Sequence, residues 1–147
     1  MAQTSLGGFY QRLPNRKQAE LFDWELDLPV SHLTIYNLTK RVADRLRPAY
    51  NDVKENIRES EVVYCDKTGF PVEGEQHWAW TLVTNDEVLF WIDESRGGGV
   101  LEDVLGEEFA KGSPLSCDGW SAYSCYHTKL QRCWAHLLWE AEYVAER

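Results

Sequence analysis

The sequence predicts an α/β protein: a helical, helix-turn-helix-like segment followed by a domain built on a mixed β-sheet. Three observations lead there. Apolar residues recur at helical spacing up to about residue 60 and switch to strand periods at Glu61. Two short strands, each ending in an acid, flank a helical stretch, the order that implies parallel pairing. Charge divides at the same point: residues 1–60 hold nine Lys/Arg against eight Asp/Glu, whereas 61–147 hold six against sixteen. The 147 residues suffice for one ordinary domain, or a compact domain with an appendage, able to bury roughly 68–70% of its unfolded surface. Seven Trp and seven Tyr in a 44% hydrophobic chain argue against disorder. No apolar run approaches the roughly 18 residues needed to cross a bilayer, and the polar start MAQTSLGGFYQRLPNRK lacks the apolar centre of a signal peptide. A cytoplasmic protein without a membrane partner is expected, its four cysteines free thiols.

Residues 1–16, with Gly7-Gly8 and Pro14, show no sustained period and read as a lead-in. From Lys17 a short helix spaces Ala19, Phe22 and Leu26 at three and four residues before the breaker Asp27-Leu28-Pro29. Ser31 suits the N-cap of a second helix with one buried stripe, Ile35, Leu38, Val42 and Leu46. Pro48 suits the first turn of a third helix carrying Tyr50, Val53 and Ile57, which ends near Ser60. The domain boundary is expected at Glu61, giving a lead-in 1–16, a helical segment 17–60 and a sheet domain 61–147.

In the second half, Glu61–Asp66, Trp78–Thr84 and Val88–Asp93 read as a three-stranded meander joined by the turns Val72-Glu73-Gly74-Glu75 and Asn85-Asp86-Glu87. Gly97–Gly99 opens a helix with Val100, Leu101, Val104, Leu105 and Phe109 on one side. Pro114–Asp118 is a strand ending in an acid. A short helix around Ser121–Tyr126, a fifth strand in LQRCW and a last amphipathic helix complete the chain.

Asp66 and Asp118 stand out by position, because sites form where strands end at one edge of an α/β sheet. If the first and fourth strands are neighbours, the two carboxylates face each other and offer the hard oxygen donors that suit Mg²⁺ or Mn²⁺. Two such ions serve phosphoryl transfer. The other reading is that each Asp caps the turn after it. In the helical half, Thr34, Tyr36, Asn37, Lys40 and Arg41 suit a recognition helix facing the DNA major groove, with Arg45 and Arg47 nearer phosphate. An ordinary helical hairpin whose charges solvate its face fits the same pattern. Cys125, His127, Cys133 and His136 lie within twelve residues. The one-residue gap between Cys125 and His127 is too tight for a zinc pair, so buried thiols are the expectation. Asp93-Glu94-Ser95-Arg96 reads as a strand-exit turn or a polar rim of the site.

Several blocks then agree with one family. Val62-Val63-Tyr64-Cys65-Asp66-Lys67-Thr68-Gly69-Phe70, His77-Trp78-Ala79-Trp80, Ser95-Arg96-Gly97, Cys117-Asp118-Gly119-Trp120-Ser121-Ala122-Tyr123 and Gln131-Arg132-Cys133-Trp134-Ala135-His136 resemble, in order and spacing, the catalytic core of the insertion sequence 66 transposases. Ala19-Glu20-Leu21-Phe22 and Leu28-Pro29-Val30-Ser31 resemble the helical segment that precedes that core. The resemblance covers roughly residues 17–147. It implies a partial ribonuclease H-like domain and DNA strand cleavage and transfer by an Asp-Asp-Glu triad with two Mg²⁺ (or Mn²⁺) ions. Asp66 matches the first acid and Asp118 the second. The third is expected far downstream, and Glu140 and Glu142 match the start of an insertion instead. Lys67 stands where the family usually has Glu, placing a cation beside the metal site, although neighbours on a strand point to opposite faces. The chain therefore reads as a piece of a transposase cut at both ends and inactive by itself. The alternative is a non-catalytic DNA-binding or regulatory fragment. Expected partners are element-end DNA and a full-length transposase or further copies of this chain. The acidic balance suits a salt-loaded cytoplasm such as a haloarchaeon's, where surface repulsion is screened within about 3 Å.

Overall fold

The computed structural model describes residue 4, residues 6–126 and residues 129–146. His127, one of the four residues weighed for zinc, lies outside them. The chain forms two compact units, Met1–Ala49 and Tyr50–Arg147. The division precedes the expected boundary at Glu61 because Ile57 and Val53, on the last turns of a helix, belong to the core of the sheet-containing unit.

In the first unit, a single π-helical turn, Leu6–Tyr10, precedes helix α1, Asn15–Leu26. The helix stops at Asp27, whose left-handed backbone (φ 49°) returns its N–H to the Phe22 carbonyl. The apolar stripe read from the sequence is not the buried one. Phe22 is half-buried and Leu26 exposed, while Gln18 is buried, its Nε2 donating to the Leu13 carbonyl at 2.9 Å. A cavity of about 490 Å³ lies beside Gln18, Leu13 and Phe22.

Helix α2, His32–Arg58, replaces the two helices expected on either side of Pro48. Ser31 caps it as expected, its Oγ accepting the Thr34 N–H at 3.1 Å. The helix continues through Pro48 although the ring removes one backbone donor. The apolar period runs unbroken across it, from Leu46 to Tyr50, Val53 and Ile57, so one helix satisfies both halves of the pattern. Of the stripe expected to be buried, Ile35 is, Leu38 and Val42 are half-buried, and Leu46 is exposed.

The second unit holds a five-stranded mixed sheet in the order β3-β2-β1-β4-β5. Strands β1, Val63–Gly69, β2, Trp78–Val83, and β3, Val88–Asp93, form the expected antiparallel meander. The β1–β2 connection turns at Glu73 (φ 52°) and Gly74 (φ 89°), two left-handed residues closed by paired Val72–Glu75 hydrogen bonds of 2.9 Å. That twist suits a tight hairpin. Helix α3, Gly99–Gly112, then crosses over to β4, Leu115–Cys117, which runs parallel to β1. Gly106 (φ 79°) breaks α3 midway, and the Tyr126 hydroxyl donates to its carbonyl at 2.7 Å. Helix α4, Ser121–Tyr126, strand β5, Leu130–Arg132, parallel to β4, and helix α5, Trp134–Ala145, complete the unit.

One sheet face carries the core. Val63 and Cys65 of β1, Trp80 and Leu82 of β2, Leu89 of β3 and Leu115 of β4 pack with Leu101, Val104 and Phe109 of α3 and Tyr123 of α4. Strand alternation sends Tyr64 and Asp66 to the opposite face, together with the half- or more-exposed Val88, Phe90 and Ile92. Strand β1 also runs three residues past Asp66, because Lys67, Thr68 and Gly69 pair with Trp80, Ala79 and Trp78. Asp66 is thus inside a strand and not at its end.

Candidate functional site

Strands β1 and β4 are neighbours, and their parallel register pairs Val63 with Leu115 and Tyr64 with Ser116. Continuing that register two residues brings Asp66 abreast of Asp118, the first residue beyond β4. Both carboxylates line a small cavity of about 150 Å³ together with Tyr64, Thr81, Cys133 and His136. Asp66 is exposed, and its Oδ1 accepts the Lys67 backbone N–H at 2.8 Å. Asp118 is more enclosed. Its Oδ1 accepts the Trp120 N–H at 2.8 Å, so it caps the turn after it while sharing the cavity with Asp66. The Arg132 guanidinium lies against Gly119 at that turn.

The other oxygen of Asp118 meets Lys67, the cation that the sequence places beside the site. The Lys67 ammonium lies 3.2 Å from Asp118 Oδ2 and 3.3 Å from the Tyr123 hydroxyl, and its side chain has no exposed surface. Three rings surround it: Tyr123 at 4.4 Å, Trp80 at 5.6 Å and Trp120 at 5.8 Å from their centroids. Alternation was the signal for this position. Lys67 shares its face with Val63 and Cys65, and a lysine on an apolar face requires a counter-charge. Arg96 forms a second layer, its guanidinium stacked 3.9 Å from the Trp120 ring and 4.5 Å from Trp78. The segment Asp93-Glu94-Ser95-Arg96 forms the strand-exit turn, with the Ser95 N–H donating to Asp93 Oδ1 at 2.8 Å.

The cysteines separate by environment. Burial pushes the Cys65 thiol up to about 12 and the Cys117 thiol up to about 11. Cys133, at the start of α5, is lowered instead, by the nearby His136 backbone and side chain and the Ala135 backbone. His136 is raised in turn, first by Cys133 and to a lesser extent by Asp66 and Asp118, whose charges both reach it. Cys125 is exposed. Among the described residues no three His, Cys, Asp or Glu side chains form a metal-holding group.

That last observation bears on divalent ions directly. Paired carboxylates are the right donors for Mg²⁺. Yet only two of them converge, and one already holds an ammonium. As they stand, these residues do not fit a pair of divalent ions.

On α2 the seven expected DNA contacts are all exposed but divide between two faces. Thr34, Asn37, Arg41 and Arg45, spaced by three and four, share one; Tyr36, Lys40 and Arg47, spaced by four and seven, share another. Helical periodicity turns Lys40 about 100° away from its neighbour Arg41. The Thr34 hydroxyl is engaged at the cap with Ser31 at 2.9 Å, and Arg47 lies 3.7 Å from Asp44.

Among the described residues no helix is long and apolar enough to cross a membrane. A chain in the cryo-EM structure of the simian T-cell lymphotropic virus intasome, in complex with PP2A regulatory subunit B56 gamma, is similar at 13% identity and a TM-score of 0.39. The match covers 50% of this chain and 31% of that one. No curated protein matches the sequence. The family model described as Transposase IS66 family matches residues 1–147 throughout. With the order of its blocks, its mixed sheet and that match together, the chain belongs to the IS66 family of transposases.

Proposed function

We propose that the chain supplies part of the catalytic core of a DNA transposase, with Asp66 and Asp118 as two of the three carboxylates that serve metal-dependent strand cleavage and transfer at element ends. The observation that carries this reading is the parallel β1–β4 register, which sets the two acids side by side in a member of a transposase family. The sheet order with β4 and β5 parallel to β1 supports the ribonuclease H-like reading of the 61–147 segment. By itself the chain does not complete the reaction, since no third carboxylate joins the pair among the described residues and Lys67 neutralises Asp118. Its substrate class is DNA, met in the cytoplasm.

Incubating the protein with element-end DNA and Mg²⁺ or Mn²⁺ tests this. No strand cleavage is expected. Robust cutting abolished by Asp66→Ala would overturn the claim that the chain is inactive by itself.

A second reading, a non-catalytic DNA-binding or regulatory role, draws on the exposed cations of α2. Its exposed Arg41 and Arg45 share a face with Asn37, and Lys40 lies on another. Phosphate contact by these side chains makes binding fall steeply with salt. Binding is expected to weaken in Lys40→Ala and Arg41→Ala and to persist in Asp118→Ala. Salt-insensitive binding, or none at all, would sink this role.

A further inference from the structure

We propose that Lys67 is a tethered cation that closes the Asp66–Asp118 pair to divalent metal, so that this one side chain sets how tightly the pair binds Mg²⁺ or Mn²⁺. The proposal rests on the reading of Asp66 and Asp118 as a metal-binding pair and adds what controls it.

The geometry is that of an ion already in place. Lys67 Nζ stands 3.2 Å from Asp118 Oδ2, within the distance of a charge-assisted hydrogen bond, and the remaining oxygen of Asp118 is taken by the Trp120 N–H. A magnesium ion needs oxygen ligands at about 2.0–2.1 Å in a near-octahedral shell. To bind Asp118 it must displace the ammonium or tolerate a positive charge beside it. Displacement is opposed by the surroundings. The Lys67 side chain is wholly buried, its ammonium donates to the Tyr123 hydroxyl, and the faces of Tyr123, Trp80 and Trp120 attract it. Tolerance is opposed by like-charge repulsion, because the ammonium stands 3.2 Å from the Asp118 oxygen that would ligate the ion. Asp66 alone, exposed and with its Oδ1 accepting the Lys67 N–H, is left as a weak ligand.

Titration of the whole chain with Mn²⁺, followed by electron paramagnetic resonance of the free ion, reads this without any activity. Lys67→Gln keeps a donor for Asp118 but removes the charge, and Lys67→Met repeats the test should the first variant fail to fold. The neutral variant is expected to bind Mn²⁺ at least about tenfold tighter than the wild type. The gain is expected to vanish when Asp66→Asn or Asp118→Asn is added, and Lys67→Arg is expected to behave as the wild type. Equal affinity in wild type and Lys67→Gln, lost in both on Asp66→Asn, overturns the role of Lys67 while leaving the carboxylate pair a metal site. Absence of carboxylate-dependent binding in both Lys67→Gln and Lys67→Met overturns the reading of the pair itself, and the proposal with it.

Discussion

Replacing Asp118 by Asn removes one charge and almost no volume, so its effect isolates the Lys67 ion pair. At an N–O separation of 3.2 Å the Coulomb attraction is about 5 kcal/mol for an effective dielectric of about 20. The Asp118 side chain keeps 22% exposure, so water recovers part of that when the pair is broken. Losing one partner of a buried pair costs about 3–5 kcal/mol, and partial exposure lowers the expectation here to about 2–4 kcal/mol. Asn retains an oxygen for the Trp120 N–H, so the turn cap survives. Asp66→Asn is the control. That carboxylate is exposed and bonds only its neighbour's N–H in β1, so its loss is expected to stay within about 0.5 kcal/mol. Thermal melts at neutral pH by tryptophan fluorescence report on the sheet unit, because six of the seven Trp lie in it. For a unit of this size Asp118→Asn is expected to lower Tm by at least about 8 °C, with Asp66→Asn near the wild type. Adding Lys67→Met to Asp118→Asn is expected to recover most of the loss, since an unpaired buried charge is then no longer present. If the two single variants melt together, the Lys67–Asp118 pair is not a buried ion pair in solution.

Ile57→Ala truncates a fully buried side chain on the penultimate residue of α2 and is expected to cost about 2–5 kcal/mol; an unchanged urea midpoint would remove Ile57 from the sheet core. Cys133, whose thiol is lowered by the groups around it at the start of α5, His136 first, is expected to react with iodoacetamide near neutral pH well before the buried Cys65 and Cys117, with exposed Cys125 as internal reference. Peptide mass spectrometry reads the order, and His136→Ala is expected to slow Cys133. Stability is expected to fall in alkali. Cys65 and Cys117 are raised by burial to about 12 and about 11, so between roughly pH 9 and 11 the folded chain keeps two protons that the unfolded chain releases. Folding then loses about 1.4 kcal/mol per thiol per pH unit, and a Cys65→Ser/Cys117→Ser variant is expected to show a shallower slope. Equal slopes for the two proteins would contradict the burial of these thiols.

The order of strands and helices was legible because each carries its own local signal: alternation in WAWTLVT and VLFWID, and a capped apolar period after Ser31. What escaped were properties that belong to neighbours. Periodicity shows which face of α1 and α2 is apolar but not whether anything covers it, which is why Leu26 and Leu46 are exposed and polar Gln18 is buried. Proline signals a helix start only where the apolar period restarts, and here it continues from Leu46 to Tyr50. Polar Lys67-Thr68-Gly69 gave no strand pattern of their own, and their strand character comes from β2 alongside.

The site shows the same limit at the scale of single atoms. Parallel pairing across a helical crossover was legible, and the Tyr64–Ser116 register brings Asp66 abreast of Asp118 although β1 runs on to Gly69. Strand alternation also suggested that Lys67, next to Asp66, would point away from the acids. It does point away from Asp66, into the core face. Asp118, however, lies just past the end of β4, where the strand's two faces no longer constrain a side chain, and the long lysine reaches it from below. Net charge misleads in a parallel way. The half with sixteen acids has six cations, and two of them, Lys67 and Arg96, are stacked on the rings beside the carboxylates. Averaged over the chain the acids dominate; within a few ångströms of Asp118 the nearest charge is positive. Whatever binds there meets that local field first, because the exposed acids elsewhere are screened within about a Debye length, whereas the buried Lys67 ammonium is screened much less.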